Sequence, residues 1–331
     1  MGSEMCIRDR EGPNGEMPES GCCTASDSED ARRVASKLDI PYYVLDYTES
    51  FSKNVVENFT QMYAQGLTPN PCVECNRSVK FDHFINQAKK LNCDKVATGH
   101  YAKIIKKNDK YELHKADYLD KDQSYVLHML QSSDLENITF PLGEISKPEV
   151  RQIAARIGLR TAFKKDSQDI CFVGKKDYRS FVEKRIDLTS PGEIFDTKGN
   201  KVGDHNGIHE FTVGQRKGLP GGYGTPRYVT KINVQNKNVT IGEKNDLLVS
   251  SFIVEELSCV NNLEYKNLTI QTRYNSEDLP CEIKKLSDTE ILVQLKEPAF
   301  SIAPGQFGVI YNGTKVVCGG RISPKVLENV G

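Results

Sequence analysis

No stretch of this chain approaches the roughly eighteen consecutive apolar residues that a membrane-crossing helix requires, so no membrane partner is expected. The N-terminal residues also lack the apolar core of a secretory signal, which makes a cytoplasmic protein the default. Surplus charge is missing as well. With 44 Lys and Arg against 45 Asp and Glu the net charge is −1. The molecule as a whole therefore offers nucleic acid no attraction, and any RNA binding must come from local basic patches. Internal repeats are absent, as is low-complexity sequence beyond the opening residues. Cysteine is not scarce: ten are spread along a long, lysine-rich chain. A disulfide framework belongs to short secreted chains, so these residues are read instead as thiols, metal ligands or reactive groups.

The 331 residues, 38% hydrophobic and 27% charged, leave room for two or three domains with a sizeable core. Residues 1–20 show no periodicity and are expected to be a non-native or disordered leader. From Asp27 a helical period sets in, with Ala31, Val34, Ala35 and Leu38 on one face, followed by a short β-rich run from Tyr42 to Leu45. A second helix places Phe51, Val55, Phe59 and Met62 on one stripe and stops at Gly66. A third aligns Phe81, Phe84, Ile85, Ala88 and Leu91, and the loop between the two is punctuated by Pro69 and Pro71. Lys95 to Thr98 reads as a short buried strand ending in Gly99-His100, and ligands of such sheets bind at the strands' carboxyl ends. Ser146-Lys-Pro-Glu149 is a capping box with Pro148 at N1, and Val150, Ile153, Ala154 and Ile157 continue that helix as far as Gly158.

Beyond about residue 183 the helical period weakens. A Gly-rich segment from Thr212 to Thr225 leads into β runs at Leu268 to Thr272, Ile291 to Leu295 and Phe307 to Tyr311, the last ending at Asn312-Gly313. The fold class expected is α/β plus β, with a small β-barrel at the C-terminal end.

Cys72-Val-Glu-Cys75 sits in a proline-bounded loop ahead of a helix, where backbone N–H groups and the helix dipole favour thiolates. The same spacing suits half a zinc site, which would want a second pair; Cys93, Cys171, Cys259, Cys281 and Cys318 are all isolated. Cys171 follows Lys164-Lys-Asp-Ser-Gln-Asp-Ile, a charged context that favours an accessible, acidic thiol, whereas the usual fate of a lone cysteine is inert burial. Gly99-His100-Tyr101 fits a catalytic histidine, a nucleotide-contacting turn or simply a tight strand exit. In Asp120-Lys-Asp-Gln-Ser-Tyr125, the side chains of Lys121, Asp122 and Gln123 suit phosphates and base edges, and equally a solvated turn. Basic residues recur at Lys164-Lys165, Lys175-Lys176, Arg179, Lys184-Arg185 and Arg216-Lys217. Such runs are usually solvated faces; gathered on one side, they would track RNA phosphates.

Taken in order, Gly21-Cys-Cys-Thr-Ala25, Thr68-Pro-Asn-Pro-Cys-Val-Glu-Cys-Asn76, Ala97-Thr-Gly-His-Tyr-Ala102, Asp120-Lys-Asp-Gln-Ser-Tyr125, Phe140-Pro-Leu-Gly-Glu144 and Asp166-Ser-Gln-Asp-Ile-Cys-Phe172 resemble the tRNA 2-thiouridylase family. So do Phe211-Thr-Val-Gly-Gln-Arg-Lys-Gly-Leu219, Thr272-Arg-Tyr274 and Ala303-Pro-Gly-Gln306. The resemblance implies an ATP-pyrophosphatase domain, Rossmann-like and of the adenine nucleotide alpha hydrolase type, at 21–182, a small central tRNA-binding domain at 183–228 and the β-barrel at 229–331. It implies a tRNA uridine 2-sulfurtransferase, in which ATP with Mg2+ adenylates the C2 oxygen of the wobble uridine, position 34 of the anticodon stem-loop. A sulfur nucleophile then displaces AMP, so one hard substitution becomes two easier ones.

By position the resemblance makes Cys75 the nucleophile and Cys171 the bearer of a persulfide, loaded by a sulfur-relay protein or a cysteine desulfurase; the two end a turnover as a disulfide. Asn70, Pro71 and Cys72 match the stretch that touches the target base, and Gly99 an ATP contact. His100, Lys121, Asp122, Gln123, Arg273, Tyr274 and Gln306 match tRNA contacts.

Two departures from the family qualify these expectations. Many members carry aspartate where this chain has Cys72, and with Cys75 and Cys171 a third thiolate makes a [4Fe–4S] cluster with one open iron the competing route for sulfur. The family's Ser-Gly-Gly-Val-Asp-Ser phosphate loop has no counterpart here. Its backbone N–H groups cradle pyrophosphate, so weak ATP binding and an exposed strand edge are expected. The alternative function is accordingly a tRNA-binding protein without catalysis. An amide-forming synthetase of the ATP-pyrophosphatase group would not account for the CxxC loop, Cys171 and the barrel together.

Overall fold

The computed structural model of the chain describes residues 25–164, 170–173, 178–186, 190–221, 224–258, 266–300 and 302–329. The expected leader, Cys22-Cys23, all of Lys165 to Asp169, Lys175-Lys176 and Cys259 lie outside the described residues. The chain divides into two units: Met1–Glu57, Pro71–Leu127 and Ser132–Lys184 form one, and Asn58–Asn70, His128–Gln131 and Arg185–Gly331 the other.

The helices in chain order are α1 (Ala25–Lys37), α2 (Thr48–Phe51), α3 (Asn58–Ala64), α4 (Pro71–Glu74), α5 (Asp82–Lys90), α6 (Ser132–Leu135), α7 (Lys147–Arg156) and α8 (Tyr178–Glu183). All but α3 belong to the first unit. Two π-helical stretches, Ser52–Glu57 and Cys75–Phe81, connect α2 to α3 and α4 to α5. The stripe Phe51, Val55, Phe59 and Met62 is buried as its spacing predicts, and the helix stops at Gly66 with φ +65°. Strand β1 (Val96–Ala97) pairs in parallel with a later strand at Ile138–Thr139, and among the described residues the sheet of the α/β layer has these two strands. Between these lie β2 (Ala102–Lys107) and β3 (Lys110–Lys115), an antiparallel hairpin turned by Asn108 and Asp109, both at positive φ as a two-residue hairpin loop demands. The Ile138–Thr139 strand is β4.

The Ser146 capping box forms as read. The Ser146 hydroxyl accepts from the Glu149 amide, Glu149 answers by accepting from the Ser146 amide, and α7 ends before Gly158 at φ +72°. Two expectations need correction. The run Tyr42 to Leu45 is extended but forms no strand, because a strand needs a hydrogen-bonded neighbour; Tyr42 is tied instead to Ser28 of α1, its hydroxyl 2.9 Å from the Ser28 hydroxyl. Pro148, expected at N1, stands one place later, because Lys147 is the first residue of α7 after the Ser146 cap.

The second unit is mostly β. Strands β5 (Gly192–Asp196), β6 (Lys201–His205), β7 (Tyr228–Asn233) and β8 (Asn238–Gly242) form one sheet in the order β6-β5-β8-β7 over a core of Ile194, Ile208, Phe211, Val229, Val239 and Ile241. The expected domain boundary at 228/229 falls inside this sheet, because β8 pairs with β5 and β7 with β8. The described residues of the Gly-rich segment, 212–221 and 224–225, thus lie between strands of one sheet.

Six further strands are β9 (Leu248–Glu255), β10 (Leu268–Gln271), β11 (Leu279–Lys285), β12 (Glu290–Phe300), β13 (Phe307–Asn312) and β14 (Lys315–Asn329). They run in the order β13-β10-β11-β12-β9-β14, and a β13–β14 pairing closes them into the anticipated barrel. Alternating side chains such as Phe252, Val254, Ile270, Val293 and Ile310 fill the interior.

Candidate active site

Pro71 opens α4 at the position where a missing amide costs nothing, and the helix carries Cys72 exposed and Cys75 half-buried. At Cys75 the helix widens into its π-helical stretch, a feature that clusters at functional sites. Cys75 packs on a small apolar cluster built from Phe51, Val55 and Val79. Cys171, in the turn 171–173, packs on the same cluster, and beside it the Phe172 ring meets Phe51 edge-on at 5.6 Å. The two cysteines that the sequence singles out therefore share one apolar floor, and both are thiols here.

Two polar neighbours of Cys75 escaped the sequence reading. Glu74 is buried and pairs with Arg77 one turn on, at 3.7 Å. Asn76 is 2% exposed; its side-chain amide donates to the Val126 carbonyl at 3.1 Å, while its own Oδ1 is buried with no protein partner. Their only sequence signal was proximity to the CxxC.

Gly99 follows β1 in an ordinary conformation, and a Cβ there would meet only Leu142, at 3.9 Å. His100 lies inside an aromatic cluster, its ring 5.8 Å from Phe81 and 6.0 Å from Phe140, with Nδ1 2.7 Å from the Thr98 hydroxyl. Burial, reinforced by the charge of Lys80, pushes its pKa down to about 3, so it stays neutral. That placement is the tight, satisfied strand exit among the readings open to it.

In Lys121-Asp-Gln123 the three side chains divide their work. Asp122 is buried, and its carboxylate accepts from the Ala116 amide at 2.8 Å and the Ser124 hydroxyl at 2.6 Å. Burial raises its pKa, and the hydrogen bonds from Ser124 and Ala116 oppose the rise. Gln123 exchanges two bonds with the Tyr101 backbone, its side-chain Oε1 accepting at 3.0 Å and its backbone N–H donating at 2.8 Å. Lys121 alone lines an open cleft.

Arg273 and Tyr274 sit in the turn after β10 in the second unit, exposed as RNA contacts would be, with Tyr274 at 41%. Gln306 is engaged within its own unit: its side-chain amide donates to the carbonyls of Thr68 at 3.1 Å and Pro69 at 3.2 Å, just ahead of Asn70. The neighbouring Gly305 has φ +90°, and a Cβ there would lie 2.8 Å from the Thr68 nitrogen, so only glycine lets the two segments approach so closely. Of the basic runs, Lys164 is taken up by Asp27 and Asp30 of α1, at 2.6 and 2.7 Å.

Three family models match successive parts of the chain: a tRNA methyl transferase HUP domain over residues 2–175, a tRNA methyl transferase PRC-barrel domain over 179–243 and an aminomethyltransferase beta-barrel domain over 249–322. Among curated proteins, the chain is 43% identical over 310 residues to the tRNA-specific 2-thiouridylase MnmA of Lachnoclostridium phytofermentans, covering 91% of this chain and 86% of that one. It is 42% identical over 314 residues to the protein of the same name from Chloroflexus aggregans, covering 93% and 87%. With that of Geobacter metallireducens the identity is 40% over 320 residues, covering 96% and 87%. On this breadth of identity, the chain belongs to the tRNA-specific 2-thiouridylase MnmA family.

Proposed function

We infer that this chain is a tRNA uridine 2-sulfurtransferase. The observation that carries the reading is the shared apolar floor beneath Cys75 and Cys171, found in a member of this family. ATP adenylates the C2 oxygen of uridine 34 and releases pyrophosphate, whose charge Mg2+ would neutralise, and Gly99 contributes to the nucleotide site. The terminal sulfur of a Cys171 persulfide attacks C2, the C2–O bond breaks and AMP leaves. The Cys75 thiolate then attacks Sγ of Cys171, releasing 2-thiouridine and leaving a Cys75–Cys171 disulfide, which a thiol reductant reopens. An apolar floor suits this sequence because it keeps water from competing with sulfur at the activated carbon.

Asn70, Pro71 and Cys72 hold the target base in this reading, and Lys121, Arg273 and Tyr274 bind tRNA directly. His100, Asp122, Gln123 and Gln306, whose side chains are engaged within the protein, shape the segments that touch it. A sulfur-relay protein or cysteine desulfurase supplies the persulfide in the cytoplasm; among the described residues, no helix is long and apolar enough to cross a membrane.

A [4Fe–4S] cluster on Cys72, Cys75 and Cys171 fits the arrangement less well. Cys72 is exposed while the other two pack on the apolar cluster. Iron counting after anaerobic reconstitution separates the routes, and a protein that takes up no iron leaves the persulfide.

Single-turnover thiolation of a tRNA transcript, with ATP and a persulfide donor and with nucleosides read by mass spectrometry, tests the function. The parent should yield 2-thiouridine, and Cys75→Ser or Cys171→Ser none. A parent that binds tRNA but never yields 2-thiouridine would overturn the reading in favour of binding without catalysis.

A further inference from the structure

Beside the Lys121 loop the first unit carries an open cleft of about 490 Å3 that no step of the thiolation chemistry uses. Lys121, on the 3-10 turn Leu119–Lys121, lines one part of it. Helix α7 lines another with Lys147, Arg151 and Gln152, of which Lys147 and Arg151 stand one helical turn apart on the same face. Phe163, from the 3-10 turn Arg160–Phe163, completes the lining with its side chain 77% exposed. Of the described residues that line the cleft none is acidic, and Glu149, the nearest acid on α7, is occupied in capping Ser146.

We propose that this cleft is a binding subsite for unpaired RNA, in which Lys121, Lys147 and Arg151 contact consecutive phosphates and the Phe163 ring stacks on a base. The inference rests on the sulfurtransferase reading for its choice of RNA and deepens it, since Lys147, Arg151 and Phe163 are not among the residues expected to touch tRNA.

Three features favour this occupant. Cations contributed by two separate elements form a track rather than a single-point site, as a backbone with repeating charge requires. An aromatic face open to solvent beside them accepts any base, because every base has a π-face. Stacking of this kind needs a nucleotide outside a duplex, which points to the loop nucleotides around the target uridine rather than to a paired stem.

A labelled tRNA transcript is titrated against the full chain at several salt concentrations, with Lys90→Ala, on the exposed end of α5, as the control for general charge loss. Lys147→Ala and Arg151→Ala should each make the slope of log K against log salt shallower by about 0.7. Phe163→Ala should weaken binding roughly 5- to 100-fold with an unchanged slope, and Phe163→Trp should restore it. All three side chains lie at the surface of an open cleft, and circular dichroism of each variant confirms that the fold is kept.

Parental slope and affinity in the Lys147→Ala, Arg151→Ala double variant would overturn the inference while leaving the function intact, and would turn the cleft over to an acidic protein partner. AMP or ATP alone protecting Phe163→Trp fluorescence from quenching, with tRNA unable to do so, would overturn it in favour of a free nucleotide. A parent chain with no affinity for tRNA would sink the functional reading and this subsite together.

Discussion

The side-chain amide of Gln306 reaches the carbonyl oxygens of Thr68 and Pro69, 238 and 237 positions earlier in the chain. The Thr68 amide in turn donates to the Pro304 carbonyl at 2.9 Å. The segment that runs into Asn70 and the cysteine helix is thus anchored by a barrel residue two places after Pro304. Gln306→Ala should cost about 1–2 kcal/mol for the lost bonds, measured by thermal unfolding. It should also slow single-turnover thiolation more than it weakens tRNA binding. Loss of tRNA affinity with the thiolation rate unchanged would instead make Gln306 a direct RNA contact.

His100 gives a pH dependence whose sign follows from its surroundings. Its pKa falls from 6.5 to about 3 on folding. Between those values the unfolded chain binds a proton that the folded one does not, so stability rises with pH there. The contribution is fully present above pH 6.5 and is lost as pH falls towards 3, on the order of 3–5 kcal/mol in all. Comparing urea unfolding of the parent and His100→Gln from pH 7.5 to 4 should show the parent losing stability faster. Parallel curves would mean that the ring is charged in the folded protein.

Asn76 joins the helix at Cys75 to the turn at Val126 through one buried bond. Removing it in Asn76→Ala leaves the Val126 carbonyl without that donor, at a cost of about 1–3 kcal/mol. Urea unfolding measures the cost. Thiolation by Asn76→Ala should fall too, because the residue next to the nucleophile loses its tether.

The two cysteines are predicted not to be equivalent. Cys171→Ser removes the sulfur carrier but leaves uridine activation intact, so tRNA-dependent pyrophosphate release should persist, with adenylated tRNA accumulating and no 2-thiouridine formed. Cys75→Ser should arrest the reaction one step later, with tRNA covalently held to Cys171 through a disulfide that dithiothreitol releases. A gel shift of labelled tRNA under non-reducing conditions distinguishes the two.

Features set by neighbouring residues were legible in the sequence. The Ser146–Glu149 box, the Gly66 and Gly158 stops, the Phe51 to Met62 stripe and the alternation of the barrel strands all follow from short-range chemistry. What depends on distant partners was not legible. Tyr42 to Leu45 has strand composition but no ladder, and the β2–β3 hairpin hides its alternation behind Lys103, Lys106, Lys107 and Lys110. At the site, the importance of Cys75 and Cys171 came from family resemblance, whereas their common floor is a tertiary fact. The same holds for Asp122 and Gln123: their polarity suited RNA, yet their hydrogen bonds are spent on Ala116, Ser124 and Tyr101.

The π-helical stretch from Cys75 to Phe81 carries both the thiol and, at Val79, part of the floor it packs on. Such a turn holds one residue more than an α-helical turn, the trace of an insertion absorbed without breaking the helix. Deleting the one residue between Ser78 and Lys80 would take away Val79, one of the three buried side chains on which Cys75 and Cys171 both pack, together with the extra residue of that turn. The helix would return to ordinary pitch, and the two sulfurs would lose part of the surface they share. Length at this place is therefore as much a part of the active site as the cysteine itself.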